Sequence, residues 1–303
     1  MVFTAVNLFV RVFQEDILAT KDIIYHYTSV EALYKIFSTG SLRFTNIREL
    51  NDPLEIIHGF NLLDSYFDNK GFDYKAFFYT NLDEPDEIDK LKSNFFVFST
   101  SRVSDDHQQW INYGDRGDGI SIGLNSILFY NTIANSLKSR KIYALKFPIQ
   151  YMDQKGNNHS FKEIKNFYKK VHSVGDFILS NYKGKKRDKI LLIFFLCCAC
   201  MIKTDFHKNE NEERFLVIYD LTEDIPEIVL KKNKFSTYHN FQFFDINNAP
   251  INSWNEYDFF ETITIGPKAN NDDLFKEYLL KFLQKFKFHM SYLDISSSKG
   301  RLV

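Results

Sequence analysis

Residues 210–214 form a cluster of side chains capable of acid–base and electrostatic chemistry, with the order Glu-Asn-Glu-Glu-Arg. If this segment begins a strand that continues through residues 215–219, side chains alternate and Glu210, Glu212 and Arg214 project from one face. Burial of two carboxylates and a guanidinium is costly, so the face is either a solvated edge or a functional site. A carboxylate beside a glycosidic carbon stabilises an oxocarbenium-like transition state, and N-glycosidic cleavage needs that arrangement.

A second polar segment, residues 25–28, reads Tyr-His-Tyr-Thr. On a strand, His26 and Thr28 point to one face, while Tyr25 and Tyr27 point to the other. A histidine beside a hydroxyl, at the end of a strand that leads into a capped helix, can bind ribose hydroxyls. A structural histidine within the core is the alternative, and the segment alone leaves both open.

Two weaker clusters complete the candidate chemistry. Asn51 and Asp52 precede a proline, which is ordinary turn and helix-start chemistry. Ser99 follows an apolar strand, and Trp110 and Tyr113 stand three apart on one face of a predicted helix. Hydroxyls and an aromatic pair suit a flat heteroaromatic ligand, although core packing explains the two aromatic residues equally well.

Hydrophobic periodicity predicts the elements that position these residues. A strand over 94–101 has an apolar run without alternation, which indicates burial on both faces. Further strands are predicted at 23–28, 41–44, 119–124, 142–147, 215–219, 228–230 and 259–265. Helices are predicted after the cap Ser29 as far as Gly40, after a cap at Ser104 or Asp105, through 160–205, and over 274–286. The mixture without strict βαβ alternation favours one α+β domain, residues 1–303, with a helical insertion at about 155–205.

Composition excludes several classes of protein. Lys+Arg 38 against Asp+Glu 39 gives a net charge of -1, which argues against coating of nucleic acid. The GxGxxG, GxxxxGK[ST], HExxH and GxSxG motifs are missing, so the common dinucleotide, phosphate-loop, metalloprotease and hydrolase signatures fail.

The cysteines and apolar runs bear on the cellular compartment. Cys197, Cys198 and Cys200 share one apolar run and suit buried thiols of a reducing compartment. That run, residues 190–202, is shorter than the roughly 20 residues that span a bilayer. The N-terminus lacks the basic region of a signal peptide. We therefore expect a cytoplasmic protein with no membrane association.

Taken in order, the short motifs resemble a family of bacterial proteins catalogued as domain of unknown function 2971. The resemblance runs from about Ile24 to Arg301. It rests on YHYTS, LRFTN, NDPLE, a strand that ends in FS, WINYG, GISIG, the ExExR of residues 210–214, IGPK and a terminal Ser-x-x-x-Arg.

That family is similar to the ADP-ribosyltransferase superfamily, which binds NAD in a cleft between two small antiparallel sheets. The resemblance implies a split antiparallel sheet and catalysis by Glu212, with Glu210 as its partner. Both glutamates share a face on the predicted strand, and Glu212 is favoured because it lies deeper in the strand. The residues implied to bind the NAD substrate are His26, Tyr27, Thr28, Asn51, Asp52, Ser99, Trp110, Tyr113 and Arg214, the last by positioning a glutamate.

The implied activity is transfer of ADP-ribose from NAD to a macromolecular acceptor, protein or nucleic acid, without a metal. A toxin or phage-defence effector is the expected setting. The alternatives are an NAD glycohydrolase and a non-catalytic nucleotide-sensing or protein-interaction module, since a fold does not by itself supply function. Lys208-Asn209 stands where family members carry an aromatic residue before ExExR.

Overall fold

The computed structural model describes residues 1–18, 23–52, 55–68, 87–137, 142–152, 161–220, 227–231, 234–243, 259–269, 273–285 and 293–300. The helices are α1 Val2–Leu18, α2 Val30–Thr39, α3 Glu55–Asp68, α4 Glu87–Lys92, α5 His107–Asn112, α6 Ser126–Leu137, α7 Phe161–Asn181, α8 Gly184–Ala199 and α9 Asp273–Lys285. Short 3-10 helices occupy Ile47–Glu49, Asp115–Gly117 and Asp205–Glu210. The strands are β1 Ile23–Thr28, β2 Ser41–Asn46, β3 Phe95–Ser101, β4 Ile120–Asn125, β5 Ile142–Pro148, β6 Gln150–Met152, β7 Ile202–Thr204, β8 Glu212–Tyr219, β9 Glu227–Lys231, β10 Lys234–Gln242, β11 Phe260–Ile265 and β12 Asp294–Ser297.

The passage from β1 into α2 follows from local sequence signals. β-Branched and aromatic residues form β1, as predicted. The Ser29 hydroxyl then accepts a hydrogen bond of 3.1 Å from the Ala32 N–H at the start of α2. Gly40 ends the helix with φ 63°, a left-handed conformation that costs glycine little. These caps set the two ends of the helix that connects β1 to β2.

Ten strands of the described chain form one open, mostly antiparallel sheet. Its order is β12-β11-β4-β1-β3-β2-β10-β9, and β8 and β5 branch from β3. The β11–β12 pair is parallel, as is the separate β6–β7 pair. The predicted mixture of helices with a mostly antiparallel sheet is therefore confirmed, while the ADP-ribosyltransferase-like arrangement stays a prediction.

The sheet forks at β3. One edge of β3 pairs with β8 along its whole length, from Phe95 to Ser101. The other edge pairs with β2 at Phe96 and Val97, and with β1 at Ser101. Between these two pairings, residues 98–100 face a cavity. β1 and β2 thus diverge from the same edge, and the fork opens the space in which the candidate site lies.

Apolar cores lie on both faces of β3, as the unbroken apolar run predicted. Phe95 and Val97 pack into one buried cluster, and Phe96 and Phe98 pack into the other. All four side chains are buried. The two cores hold β3 rigid at the point where the sheet divides, which suits a strand that lines a site.

The predicted helical middle contains α7 and α8; residues 155–160 of the proposed insertion lie outside the described residues. From Ile190 to Ala199, α8 is completely buried, and it packs against α1, α3 and α7. Cys197, Cys198 and Cys200 are buried free thiols, and burial raises the pKa of Cys200 to about 12. Within the described chain, no helix combines the length and apolar character that a membrane crossing requires.

Two local predictions are wrong. Asp106, rather than Ser104 or Asp105, caps α5, because Asp105 adopts φ 54° and its carboxylate accepts the Trp110 indole N–H at 2.8 Å. β8 begins at Glu212, so residue 210 lies outside the strand, at the end of a 3-10 helix. Pro53, Leu54, Phe286 and Arg301 lie outside the described residues.

Candidate functional site

The cavity at the fork of the sheet has a volume of about 270 Å³. It is bounded by β1, β2 and β3 and by the segment that runs from β7 into β8. The structure brings nine of the predicted site residues to its wall: His26, Tyr27, Asn51, Asp52, Ser99, Tyr113, Glu210, Glu212 and Arg214. Thr28 and Trp110 are buried and do not line it.

Glu212 and Arg214 form a bidentate ion pair within β8. The Arg214 Nε donates to Glu212 Oε1 at 2.6 Å, and Nη2 donates to Oε2 at 3.1 Å. Arg214 Nη1 also donates to the Cys200 carbonyl, at the C-terminal end of α8, at 3.1 Å. Carbonyls at that end of a helix attract a cation. The shared strand face that alternation predicts for Glu212 and Arg214 is thus confirmed.

Lys203 joins the carboxylates into one cluster. Its ammonium lies 2.6 Å from Glu210 Oε2, 3.1 Å from Glu212 Oε2 and 3.4 Å from Glu55 Oε2. Burial lowers the pKa of Lys203, but these three carboxylates outweigh burial, and the pKa lies above its ordinary value. The lysine is therefore a fixed cation.

The same charges set the ionisation of Glu212. Burial raises its pKa, but the charges of Arg214 and Lys203 and hydrogen bonds from Arg214 and Ser99 lower it to about 2. The carboxylate is 5% exposed and stays ionised throughout the physiological range. A buried permanent carboxylate at the wall of a cavity is equipped to stabilise a cation or to accept a hydroxyl hydrogen bond.

Glu210 reaches the cluster by a different route from the one its spacing suggested. Asn211 adopts φ 45° and turns the chain from the 3-10 helix into β8. The carbonyl of Glu210 accepts hydrogen bonds from Ser101 Oγ at 2.9 Å and Gln109 Nε2 at 3.1 Å. Its backbone is thereby anchored to β3 and α5, which directs the side chain at the cavity.

The carboxylate of Glu210 has three partners. Oε2 accepts from Lys203, while Oε1 accepts from the Tyr113 hydroxyl at 3.1 Å and lies 3.0 Å from His207 Nδ1. Burial and the Glu210 charge raise the pKa of Tyr113, so its hydroxyl remains a donor. Tyr113 thus points at the cluster, whereas Trp110 does not.

His26 lies on the opposite wall as a neutral imidazole. Its Nδ1 is 3.3 Å from the Ser99 carbonyl. Because a carbonyl only accepts, Nδ1 carries the proton, and the neutral ring presents Nε2 as an acceptor. Burial lowers the pKa of His26 to about 4, although the bond to Ser99 partly opposes this effect. The ring packs on Phe98 with centroids 4.5 Å apart.

Ser99 links the two walls of the cavity. Its carbonyl holds His26, and its hydroxyl hydrogen-bonds Glu212. Ser99 is also the one exposed residue of an otherwise buried strand. The predicted role of this serine at the cavity therefore fits its position on β3, at the stretch whose other edge pairs with neither β1 nor β2.

Tyr27 and Trp110 support the loop that follows β3. Their rings meet edge to face with centroids 4.9 Å apart. The Tyr27 hydroxyl donates to the Val103 carbonyl and accepts from the Asp106 N–H, both at 3.0 Å. Trp110 is 1% exposed. The expected stacking of Trp110 on a ligand has no geometric basis, because its ring is enclosed by protein.

The sequence did not single out Glu55, Lys203, His207, Gln109 or Arg43, which also line the cavity. Glu55 belongs to the quoted NDPLE motif, and its Oε1 lies 2.5 Å from Arg214 Nη1. A lone lysine at the end of a long apolar run was the available signal for Lys203. His207 and Gln109 carry no pattern of their own, because only the fold brings them to Glu210.

The charge of the cavity wall is negative. Five carboxylates and three cations line it among the described residues, so the wall carries net negative charge when the histidines are neutral. The cations are Arg43, Lys203 and Arg214, and Arg43 is the exposed one. Among the described residues, no group of three or more His, Cys, Asp or Glu side chains is arranged to hold a metal ion.

Comparison with known proteins adds one match. Residues 109–215, from α5 into β8, match the family model described as "Protein of unknown function (DUF2971)". The expected resemblance to this family is confirmed over that range, which carries Tyr113, Glu210, Glu212 and Arg214, while the similarity to ADP-ribosyltransferases stays a prediction. No curated protein and no solved structure matches the chain.

Proposed function

We propose that this protein cleaves the N-glycosidic bond between nicotinamide and ribose in NAD and transfers ADP-ribose to a macromolecular acceptor. The observation that carries the proposal is that His26, Glu210 and Glu212 line the same cavity, with Ser99 hydrogen-bonded to both His26 and Glu212. These groups accept hydrogen bonds and favour positive charge. A ribose offers hydroxyl donors, and its glycosidic carbon becomes positive as nicotinamide leaves.

In the proposed reaction, the C1′–N1 bond breaks and its electron pair returns to the nicotinamide ring. The positive charge then resides on the ribose C1′ and ring oxygen, near Glu212. An acceptor nucleophile attacks C1′, forms the new bond and releases its proton to solvent water. Preorganised carboxylates act electrostatically here, and positioning supplies much of the remaining effect.

Individual roles follow from the hydrogen-bond partners. Glu212 stabilises the developing charge, with Glu210 beside it, and Arg214 positions Glu212. His26 Nε2 accepts from a ribose hydroxyl. Arg43, exposed on β2 at the cavity wall, is the cation suited to the phosphates of NAD.

The test compares wild-type protein with Glu212→Gln. Each is incubated with NAD labelled in the adenylate half and with candidate protein and nucleic-acid acceptors, and both nicotinamide release and label transfer are followed. We expect Glu212→Gln to lower nicotinamide release by about 100-fold or more. Glu277→Gln, on the exposed face of α9, is the matched control. Equal rates for wild type and Glu212→Gln would overturn the assignment of Glu212.

The reaction products show which acceptor receives the ADP-ribose. Free ADP-ribose in amounts equal to nicotinamide, without labelled macromolecule, identifies an NAD glycohydrolase that uses the same cavity with water. Labelled protein or nucleic acid identifies a transferase and its acceptor class. A cytoplasmic toxin or phage-defence effector, where NAD is available, is the proposed setting.

One observation favours a second candidate, a non-catalytic NAD sensor. Both oxygens of Glu212 already accept hydrogen bonds from Arg214, and Oε2 also contacts Lys203. A carboxylate so occupied suits a rigid binding site as well as a reactive one. Calorimetry that shows NAD binding, together with no nicotinamide release, would favour the sensor. An absence of NAD binding would contradict every NAD-based function.

A further inference from the structure

We propose that Lys203 is a positioning residue of this site, whose ammonium holds the Glu210 and Glu212 carboxylates side by side at the cavity wall. The inference rests on the proposed function for its catalytic meaning. Its structural content, which concerns the ionisation of Glu212, can be measured separately.

The contacts place Lys203 between the two glutamates. Its Nζ lies 2.6 Å from Glu210 Oε2 and 3.1 Å from Glu212 Oε2. Two carboxylates that share a site without an intervening cation repel each other, and one of them takes up a proton. The ammonium removes that repulsion. It is 7% exposed as a side chain, so water screens the interaction little.

The small β6–β7 pair positions the Lys203 ammonium. Lys203 pairs in register with Tyr151 of β6. The Tyr151 hydroxyl accepts the Glu212 backbone N–H at 2.7 Å. Tyr151 therefore holds the backbone of Glu212, while Lys203, its neighbour in the β6–β7 pair, holds the Glu212 carboxylate. A lysine that only balances charge does not require pairing with the residue that holds the Glu212 backbone.

The charge balance explains why one lysine matters. The cluster has three carboxylates, Glu55, Glu210 and Glu212, and two cations, Lys203 and Arg214. Arg214 is occupied by Glu212, Glu55 and a backbone carbonyl. Loss of Lys203 removes the cation that lies nearest to the Glu210 carboxylate. Arg214, Lys203, Ser99, Tyr113 and Tyr151 interact with Glu212, and Glu55 and Glu210 share its cations Arg214 and Lys203.

The experiment titrates Glu212 by carbon-13 NMR of labelled glutamate side chains, with the resonance assigned from Glu212→Gln. In wild-type protein we expect the pKa of Glu212 to be about 2. In Lys203→Met we expect proton affinity at Glu212 to rise about tenfold or more. Lys203→Arg, which keeps the charge, should restore most of the wild-type value. An unchanged Glu212 titration in Lys203→Met would overturn the inference.

Two further variants guard against loss of folding and unrelated effects. Lys203→Met combined with Glu210→Gln restores the net charge of the cluster, so this protein should fold, and its Glu212 should titrate close to wild type. The same elevated titration in the single and the double variant would contradict the pairing of Lys203 with both glutamates. Lys208→Met, which changes an exposed lysine of the 3-10 helix that follows β7, should leave the Glu212 titration unchanged.

Activity supplies an independent readout. In Lys203→Met, the acid-side fall of nicotinamide release should occur at a higher pH, by the same shift that NMR measures for Glu212. In Lys203→Arg, it should return to the wild-type pH. If wild-type protein releases no nicotinamide, the proposed function fails, while the NMR titration still decides the role of Lys203. If nicotinamide release shows no movement of the acid limb despite a shifted Glu212, Lys203 does not act through that carboxylate.

Discussion

Arg214 holds Glu212 from two positions further along the same strand, with two hydrogen bonds of 2.6 and 3.1 Å. Glu55, at the start of α3, ion-pairs with the guanidinium from the other side at 2.5 Å. Because partners two apart on a strand share a face, the backbone of β8 itself sets the position of the carboxylate. The adjacent Glu213 points to the opposite face of the sheet.

Arg214→Lys should keep the protein folded but lower nicotinamide release at least tenfold. Lysine keeps the charge but cannot form the bidentate pair, so Glu212 loses its fixed orientation. Steady-state kinetics and thermal unfolding measure the two effects. Arg11→Lys, exposed on α1, is the control. Wild-type kinetics in Arg214→Lys would show that charge alone is sufficient.

Glu213→Gln should lower the free energy of unfolding by about 2 kcal/mol without changing NAD binding per folded molecule. Glu213 is fully buried, accepts the Ser126 hydroxyl at 2.6 Å and lies 3.9 Å from Lys146 Nζ. Burial raises its pKa, and Ser126 and Lys146 oppose that effect. Denaturant titration and calorimetry provide the two measurements. A loss of binding with no loss of stability would place Glu213 in the site instead.

His26 should make the protein less stable as the pH falls from about 6.5 to about 4. The folded pKa is about 4, against 6.5 for the unfolded chain, so the unfolded state binds more protons between these values. The free energy of unfolding therefore rises with pH across that window. His26→Gln removes this contribution.

We expect the stability of wild type relative to His26→Gln to increase by roughly 3 kcal/mol between about pH 4 and pH 7. Denaturant unfolding at several pH values measures the difference. His107→Gln, an exposed histidine, is the control. A difference that does not vary with pH would mean that His26 is not held neutral.

Gly119→Ala should destabilise the protein severely, by about 3 kcal/mol or more. A Cβ there would clash with the Thr28 carbonyl oxygen and lie 2.7 Å from the Gly114 carbonyl oxygen. Gly184→Ala is the matched control, since it has φ 57° but nothing within 4 Å of an added Cβ. That control should cost about 1 kcal/mol, from backbone conformation alone. Equal losses in thermal unfolding would show that β1 and β4 can separate at Thr28.

Local signals in the sequence predicted the elements around the site well. β-Branched runs, the Ser29 cap and Gly40 define β1, α2 and β2 because each depends on neighbouring residues only. Period-two alternation likewise placed Glu212 and Arg214 on one face. The prediction that Glu210 shares this strand was wrong, because the left-handed turn at Asn211 has no periodicity to reveal it.

The sequence by itself determined which chemical groups are available and the order of the strands that carry them. Tertiary structure alone decided that β1 and β2 diverge from one edge of β3, which opens the cavity between His26 and Glu212. It also decided that Glu55 and Lys203, from α3 and β7, complete the carboxylate cluster. Long-range strand pairing and ion pairing between distant segments depend on how the whole chain packs, and spacing along one chain does not encode them.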